Sequence, residues 1–212
     1  MDATFRALAA IGPTASMDDV ARAAGVAKPK LYRYFEDKAD LYTAVAERIQ
    51  DILWTRIFGE INLLTDSARE LVQHGAAEYA RVVVDYPNVL RFIVHGHFGQ
   101  SADEPERLLA SVRHAVRQVA EVLSGAVDGT NLDIESADLA MTTAVGAIGS
   151  ATDWWVDADQ QGTEAMSVER FSDYVATVLL GLIDSIARFN GLELNPEVPL
   201  HEAFTSSSEQ AR

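Results

Sequence analysis

The sequence predicts an all-α fold of about nine helices: a small three-helix head containing a helix-turn-helix, followed by a larger helical body. Three observations carry this. Apolar residues recur at helical spacing along most of the 212 positions, strand-like alternation is absent, and the periodic stretches are punctuated by caps, glycines or prolines.

The first helix runs over 1–11, with Phe5, Leu8 and Ala9 at helical spacing, and stops at Gly12-Pro13. Ser16 followed by Asp19 makes a capping box with aspartate in place of glutamate, and Val20, Ala21 and Ala24 give the second helix its buried side. Gly25 ends it in a left-handed conformation and Val26 turns back to the core. A third helix starts near Ala27, carries Pro29 in its first turn where no amide hydrogen is required, and runs to about Phe35. Leu31 and Phe35, four apart, share its core side.

Asp37 and Asp40 place negative charge at the start of a fourth helix, whose inner stripe is Leu41, Val45, Ile49, Ile52, Leu53 and Ile57. It is long enough to join head and body. Periodicity resumes from Ala68 to Tyr86 and is interrupted by Pro87. Further helices are expected over 88–98, 105–127, 134–156 and 167–189, and the segment from Leu194 onward, with its two prolines and serine-rich end, reads as irregular. The expected organisation is a head at 1–46, a body at 47–193 and a tail at 194–212.

Composition narrows the class. With 48% hydrophobic residues the chain is globular, and the absence of cysteine removes disulfides, thiolate metal sites and cysteine nucleophiles. The cytoplasm is the expected compartment. No apolar run approaches the ~18 residues of a membrane span, and no secretory leader pattern opens the chain, so no membrane partner is expected. The net charge of −15 argues against nucleic acid until its distribution is considered. Residues 1–48 hold seven basic side chains (Arg6, Arg22, Lys28, Lys30, Arg33, Lys38, Arg48) against seven acidic ones, so the whole excess of −15 lies beyond them. Lys28, Lys30 and Lys38 are all the lysines of the chain. A neutral head with a basic edge thus sits on an acidic body, and the two parts have different jobs.

In a helix-turn-helix the leading residues of the second helix lie nearest the base edges of the major groove. Here they are Lys28, Pro29, Lys30, Tyr32 and Arg33. Lysine donates to guanine acceptors, proline touches thymine methyls and tyrosine holds a phosphate oxygen. Ser16 and Lys38, each at the start of a helix, are placed for phosphates. The order of features is more telling than the charges: Gly12, Ser16, Val20-Ala21, Ala23-Ala24-Gly25-Val26, Leu31-Tyr32-Arg33-Tyr34-Phe35, Lys38, Leu41.

Over about residues 4–45 this order resembles the DNA-binding domain of the TetR family of bacterial transcriptional regulators. The resemblance implies a homodimer that binds palindromic double-stranded operator DNA through its heads and lets go when a small-molecule inducer enters a ligand-binding and dimerisation domain. It places Ser16, Lys28, Lys30, Tyr32, Tyr34 and Lys38 at positions that commonly touch DNA, and Pro29 where members carry a small residue or proline. Two departures stand out. Ala27 and Lys30 replace the usual hydroxyl residues at the start of the recognition helix, and the chain begins inside helix one. Either a basic arm lies upstream of the sequence read here, or this member grips DNA with fewer backbone contacts.

The body offers candidates for a mostly apolar ligand site: the aromatics Tyr79, Phe92, Phe98, Trp154, Phe171 and Tyr174, and the polar interruptions His95, His114, Thr142 and Asp153. Ordinary core packing is the competing reading for each. His95 and His97 point to opposite sides of a helix and lack a third ligand, so no metal is expected. No phosphate loop, His-Glu-x-x-His or nucleophile elbow occurs, so no enzyme activity and no cofactor is expected. Gly146, Gly149 and Ser150 in one helix, with Val178, Gly181, Leu182 and Ser185 in the last, suit close approach of a second copy, against a rival reading of tight packing within one protomer. The rival function is an acidic helical ligand-binding or protein-interaction scaffold without DNA binding.

Overall fold

The computed structural model describes residues 2–12, 14–62, 65–95, 134–160 and 166–206. Among them are eight α-helices: α1 (Asp2–Ile11), α2 (Met17–Ala23), α3 (Lys28–Leu31), α4 (Lys38–Phe58), α5 (Ala68–Asp85), α6 (Pro87–His95), α7 (Ile134–Gln160) and α8 (Val168–Phe189). The helix expected over 105–127 lies outside the described residues. By internal packing the chain forms two units, residues 1–54 with 81–111, and residues 55–80 with 112–212.

In the first unit α1 ends at Gly12, whose φ of 94° is open to glycine and strained for other residues. The Ser16–Asp19 capping box starts α2: the Asp19 amide donates to Ser16 Oγ, and the Ser16 amide donates back to Asp19 Oδ2. Gly25 adopts φ 65°, and the Val26 amide donates to the Ala21 carbonyl at 3.0 Å, closing the turn between α2 and α3. Ala7, Met17, Val20, Ala21, Leu31 and Leu41 form the core beneath this turn, with Ala23, Val26 and Phe35 packed against it. At α4 the Asp40 amide donates to Asp37 Oδ1 and the Glu36 amide to Asp40 Oδ2, so the two aspartates cap its start. Pro87 does more than interrupt a helix. It opens α6, which packs on α1 through the edge-to-face pair Phe5–Tyr86 (5.5 Å between centroids) and an Asn88 amide donated to the Ala9 carbonyl.

α3 is shorter than the helix expected to run to Phe35. It is one turn, after which Tyr32, Arg33 and Tyr34 continue in hydrogen-bonded turns: the Arg33 amide reaches the Lys30 carbonyl, and the Tyr34 and Phe35 amides reach Leu31. The cause is local. Ala27 supplies no side-chain cap, Lys28 and Lys30 put positive charge at the positive end of the helix, and the aromatics that follow are modest helix formers.

In the second unit α7 packs on α8, and Ser167 caps α8 by accepting from the Arg170 amide. Over 194–206 the segment read as irregular forms regular structure. β1 (Leu192–Leu194) pairs antiparallel with β2 (Phe204–Ser206), Leu194 opposite Phe204. Between the strands, Val198 and Pro196 accept from the amides of Ala68 and Arg69 in the first turn of α5. Ala68, Leu200 and Ala203 are buried there, covered by Leu71, Leu194, Val198 and Phe204. Strands of three residues are too short to announce themselves by alternation, and the prolines masked them further.

Candidate nucleic-acid interface

The head presents its polar candidates on a rigid underside. Leu31 is 5% exposed in the core and Phe35 packs against the same cluster, whereas Lys28, Pro29, Lys30, Tyr32, Arg33 and Tyr34 are exposed. Tyr34, at 72% exposure, is a large aromatic held in solvent with no core role. One hydrophobic pin every four residues fixes the orientation of the strip, and everything between the pins is available to a partner.

Within the strip Lys28 is the most constrained side chain. Its ammonium lies 2.7 Å from Asp18 Oδ1, across the turn on α2, and 5.9 Å from the Tyr32 ring centroid. The hydrogen bond and charge of Asp18 push the Lys28 ammonium further up. Lys38, the first residue of α4, is exposed, and its ammonium lies 5.8 Å from the Phe92 ring. Ser16 is exposed, but its hydroxyl donates to Asp19 Oδ2 at 2.6 Å while accepting from the Asp19 amide, so the side chain serves the cap. The Ser16 hydrogen bonds hold the Asp19 carboxyl below the usual carboxylate range, with Arg22 adding to the effect.

The candidate ligand residues separate. Phe92 belongs to the first unit, where it is buried against Tyr42 with ring centroids 5.5 Å apart. The Tyr79 and Thr152 hydroxyls share a hydrogen bond in the second unit. Trp154, Phe171 and Tyr174 do come together, lining with Ala151 and Met166 a cavity of about 280 Å³ between α7 and α8. Behind it Trp155 stacks on Phe171 at 3.9 Å between centroids and donates its indole hydrogen to the Met166 carbonyl. Thr142 is exposed on α7 and Asp153 is half-buried. His95 ends α6, while Phe98 and His114 lie outside the described residues. Sequence reasoning missed Asp18 and Tyr42: each acts through a partner ten or more residues away, and no local spacing signals it.

The candidate seam residues lie along the outer sides of α7 and α8. Gly146, Ser150, Gly181 and Ser185 are exposed, and Gly149, Val178 and Leu182 are half-buried. Among the described residues, a Cβ built on Gly146, Gly149 or Gly181 meets nothing within 4 Å. Among the described residues no helix is long and apolar enough to cross a membrane.

Residues 1–45 match the family model of bacterial regulatory proteins, tetR family. An uncharacterized HTH-type transcriptional regulator of Mycobacterium tuberculosis is 28% identical over 190 residues, covering 87% of this chain and 77% of its own. The HTH-type transcriptional activator FasR of Mycolicibacterium smegmatis is 40% identical over 57 residues, 27% of this chain and 26% of that protein. Among solved structures, a tetR-family transcriptional regulator from Streptomyces coelicolor superposes with TM-score 0.64 at 20% identity, covering 89% of this chain and 80% of that one. The transcriptional regulator FadR from Bacillus subtilis, in complex with stearoyl-CoA, gives TM-score 0.62 at 18% identity, covering 84% and 94%. The capped α2, the Gly25 turn and the exposed strip of α3 all fall within residues 1–45, the segment similar to the DNA-binding region of bacterial regulatory proteins of the tetR family.

Proposed function

We propose that this protein is a ligand-responsive DNA-binding transcriptional regulator of the cytoplasm, and that it works as a repressor: a homodimer binds a palindromic operator and a small-molecule inducer releases it. The exposed strip from Lys28 to Tyr34, pinned from beneath by Leu31 and Phe35, carries this reading. Lys28, Pro29 and Lys30 read base edges, while Tyr32, Arg33, Tyr34, Lys38 and the start of α2 at Ser16 grip phosphates. Two such heads on a two-fold particle engage half-sites roughly 34–36 Å apart.

Support for the homodimer comes from α7 and α8. A glycine inside a helix costs roughly 0.5–1 kcal/mol relative to alanine, and no neighbour among the described residues requires Gly146, Gly149 or Gly181 to lack a side chain. The same outer sides expose Leu139 on α7 and Phe189 on α8. A second copy laid along this stripe covers them and makes use of the small residues.

For the inducer, the aromatic cavity of Trp154, Phe171 and Tyr174 favours an apolar neutral or cationic compound. Structural neighbours hold chemically unlike molecules, stearoyl-CoA in the FadR of Bacillus subtilis and minocycline in a TetR of Acinetobacter baumannii, so the fold leaves ligand chemistry to the individual pocket.

The test is selection of bound duplexes from random sequence, followed by a salt titration of the recovered duplex. A recovered palindrome, with Lys28→Ala relaxing base preference and Lys38→Ala flattening the salt slope by about one, supports the reading. A pool from which no duplex is enriched sinks it and leaves the acidic scaffold.

A further inference from the structure

We propose that Asp18 is a positioning residue for DNA readout: its carboxylate fixes the direction of the Lys28 ammonium and cancels its charge, so that Lys28 contributes to sequence discrimination and little to general affinity. The inference rests on the regulator reading and concerns how one of its contacts is built.

The geometry is specific. Asp18 is the second residue of α2 and Lys28 the first of α3, so the ion pair of 2.7 Å spans the turn that sets the angle between the two helices. The neighbouring carboxylate of Asp19 is engaged by Ser16 and Arg22, which divides the acidic pair: Asp19 caps, Asp18 holds Lys28. The Tyr32 ring, one turn further on, lies 5.9 Å from the same ammonium. Both members of the ion pair are about half exposed, 53% and 54%, so the assembly stands at the surface of the strip.

Lysine unaided is a poor reader of sequence, because it is a point charge on a flexible four-carbon stem and is attracted to any phosphate. An ammonium has three hydrogens. With one committed to Asp18, the other two have fixed directions, and less rotamer freedom is lost on meeting a guanine edge. The adjacent carboxylate also repels the phosphate ribbon, which weakens duplexes that offer no base partner in compensation. Discrimination therefore rises while overall affinity falls. An exposed ion pair contributes little to folding, so removing it leaves the head intact.

The probes are the duplex recovered by selection with the unaltered chain and its scrambled counterpart, titrated against the full chain and against Asp18→Asn, Lys28→Ala and the double variant. Asp18→Asn is expected to bind the scrambled duplex roughly 3–10-fold more tightly at ~0.1 M salt and to steepen its salt slope by about one, narrowing the selected-to-scrambled ratio. In the Lys28→Ala background the same substitution should leave that ratio unchanged. A ratio unmoved by Asp18→Asn, or moved equally in both backgrounds, overturns the inference while the regulator reading stands. An unaltered chain that binds its selected and scrambled duplexes alike overturns the regulator reading and with it this one.

Discussion

The Tyr79 and Thr152 hydroxyls share a hydrogen bond of 2.7 Å, and the Ile148 carbonyl, 2.8 Å from Thr152 Oγ1, can take the threonine hydrogen and leave Tyr79 as the donor. Burial pushes the Tyr79 phenol up, and the hydrogen bond to Thr152 only partly opposes it. The pair ties α5 to α7 inside the second unit. Thr152→Val keeps the volume but strands a buried donor, at a cost of roughly 1–3 kcal/mol, whereas Tyr79→Phe removes the donor and costs about 1 kcal/mol. The double variant should cost less than the sum. Chemical denaturation of all four chains measures the coupling, and strict additivity would contradict the pairing of Tyr79 with Thr152.

The cap of α2 gives a prediction in both sequence and pH. Ser16→Ala should destabilise the head by about 1 kcal/mol at neutral pH. Asp19, Glu70 and Glu169 are held below the usual carboxylate range, Asp19 by the side chain and amide of Ser16, Glu70 first by the Ser67 amide and then its hydroxyl, Glu169 first by its own amide and then by Ser167. A carboxyl depressed in the folded state stabilises it above the unfolded pKa, and that contribution disappears as pH falls through the folded value. Stability should therefore hold through neutral pH and decline below about pH 4, and the Ser16→Ala difference should shrink over the same interval. Denaturation midpoints at stepped pH check this.

The uncapped start of α3 can be improved. Ala27 has extended backbone angles, φ −70° and ψ 144°, and its side chain makes no cap hydrogen bond. Ala27→Ser supplies the missing acceptor and should stabilise the helix by about 0.5–1 kcal/mol, read as slower hydrogen exchange at Lys30 and Leu31.

The outer stripe of α7 and α8 separates folding from assembly. Gly181 is exposed, a Cβ built on it meets nothing within 4 Å among the described residues, and Gly181→Leu gains helix propensity of up to ~1 kcal/mol, so the thermal midpoint should hold or rise. Self-association should be lost. Sedimentation at micromolar concentration reads the outcome, and an unchanged dimer would move the seam elsewhere.

The sequence made those parts legible whose causes are local. Ser16 with Asp19, Gly25 with Val26, and Leu31 with Phe35 each act within five residues, and each stands in the structure as its spacing implies. What the spacing could not convey are relations set by tertiary packing. Phe92 reads as a candidate for a pocket yet meets Tyr42 and Lys38, and Asp18 reads as a solvated charge yet holds Lys28. The three-helix reading of the head also left out α6, whose place on α1 follows from Tyr86 and Asn88 meeting Phe5 and Ala9. The length of α3 was overestimated because Leu31 and Phe35 keep helical spacing even though the backbone between them has already turned.

The clasp of residues 192–206 over α5 bears on biosynthesis. Arg69 pairs with Glu197 across 128 positions of chain, and the opening amides of α5 wait for the carbonyls of Pro196 and Val198. During synthesis Ala68 and Leu71 therefore wait for the 128 residues between Arg69 and Glu197 to be added, about 6–26 s at elongation rates of 5–20 residues per second. During that interval nascent α5 is a natural client for chaperones, and slowing of translation downstream of residue 85 would lengthen the exposure.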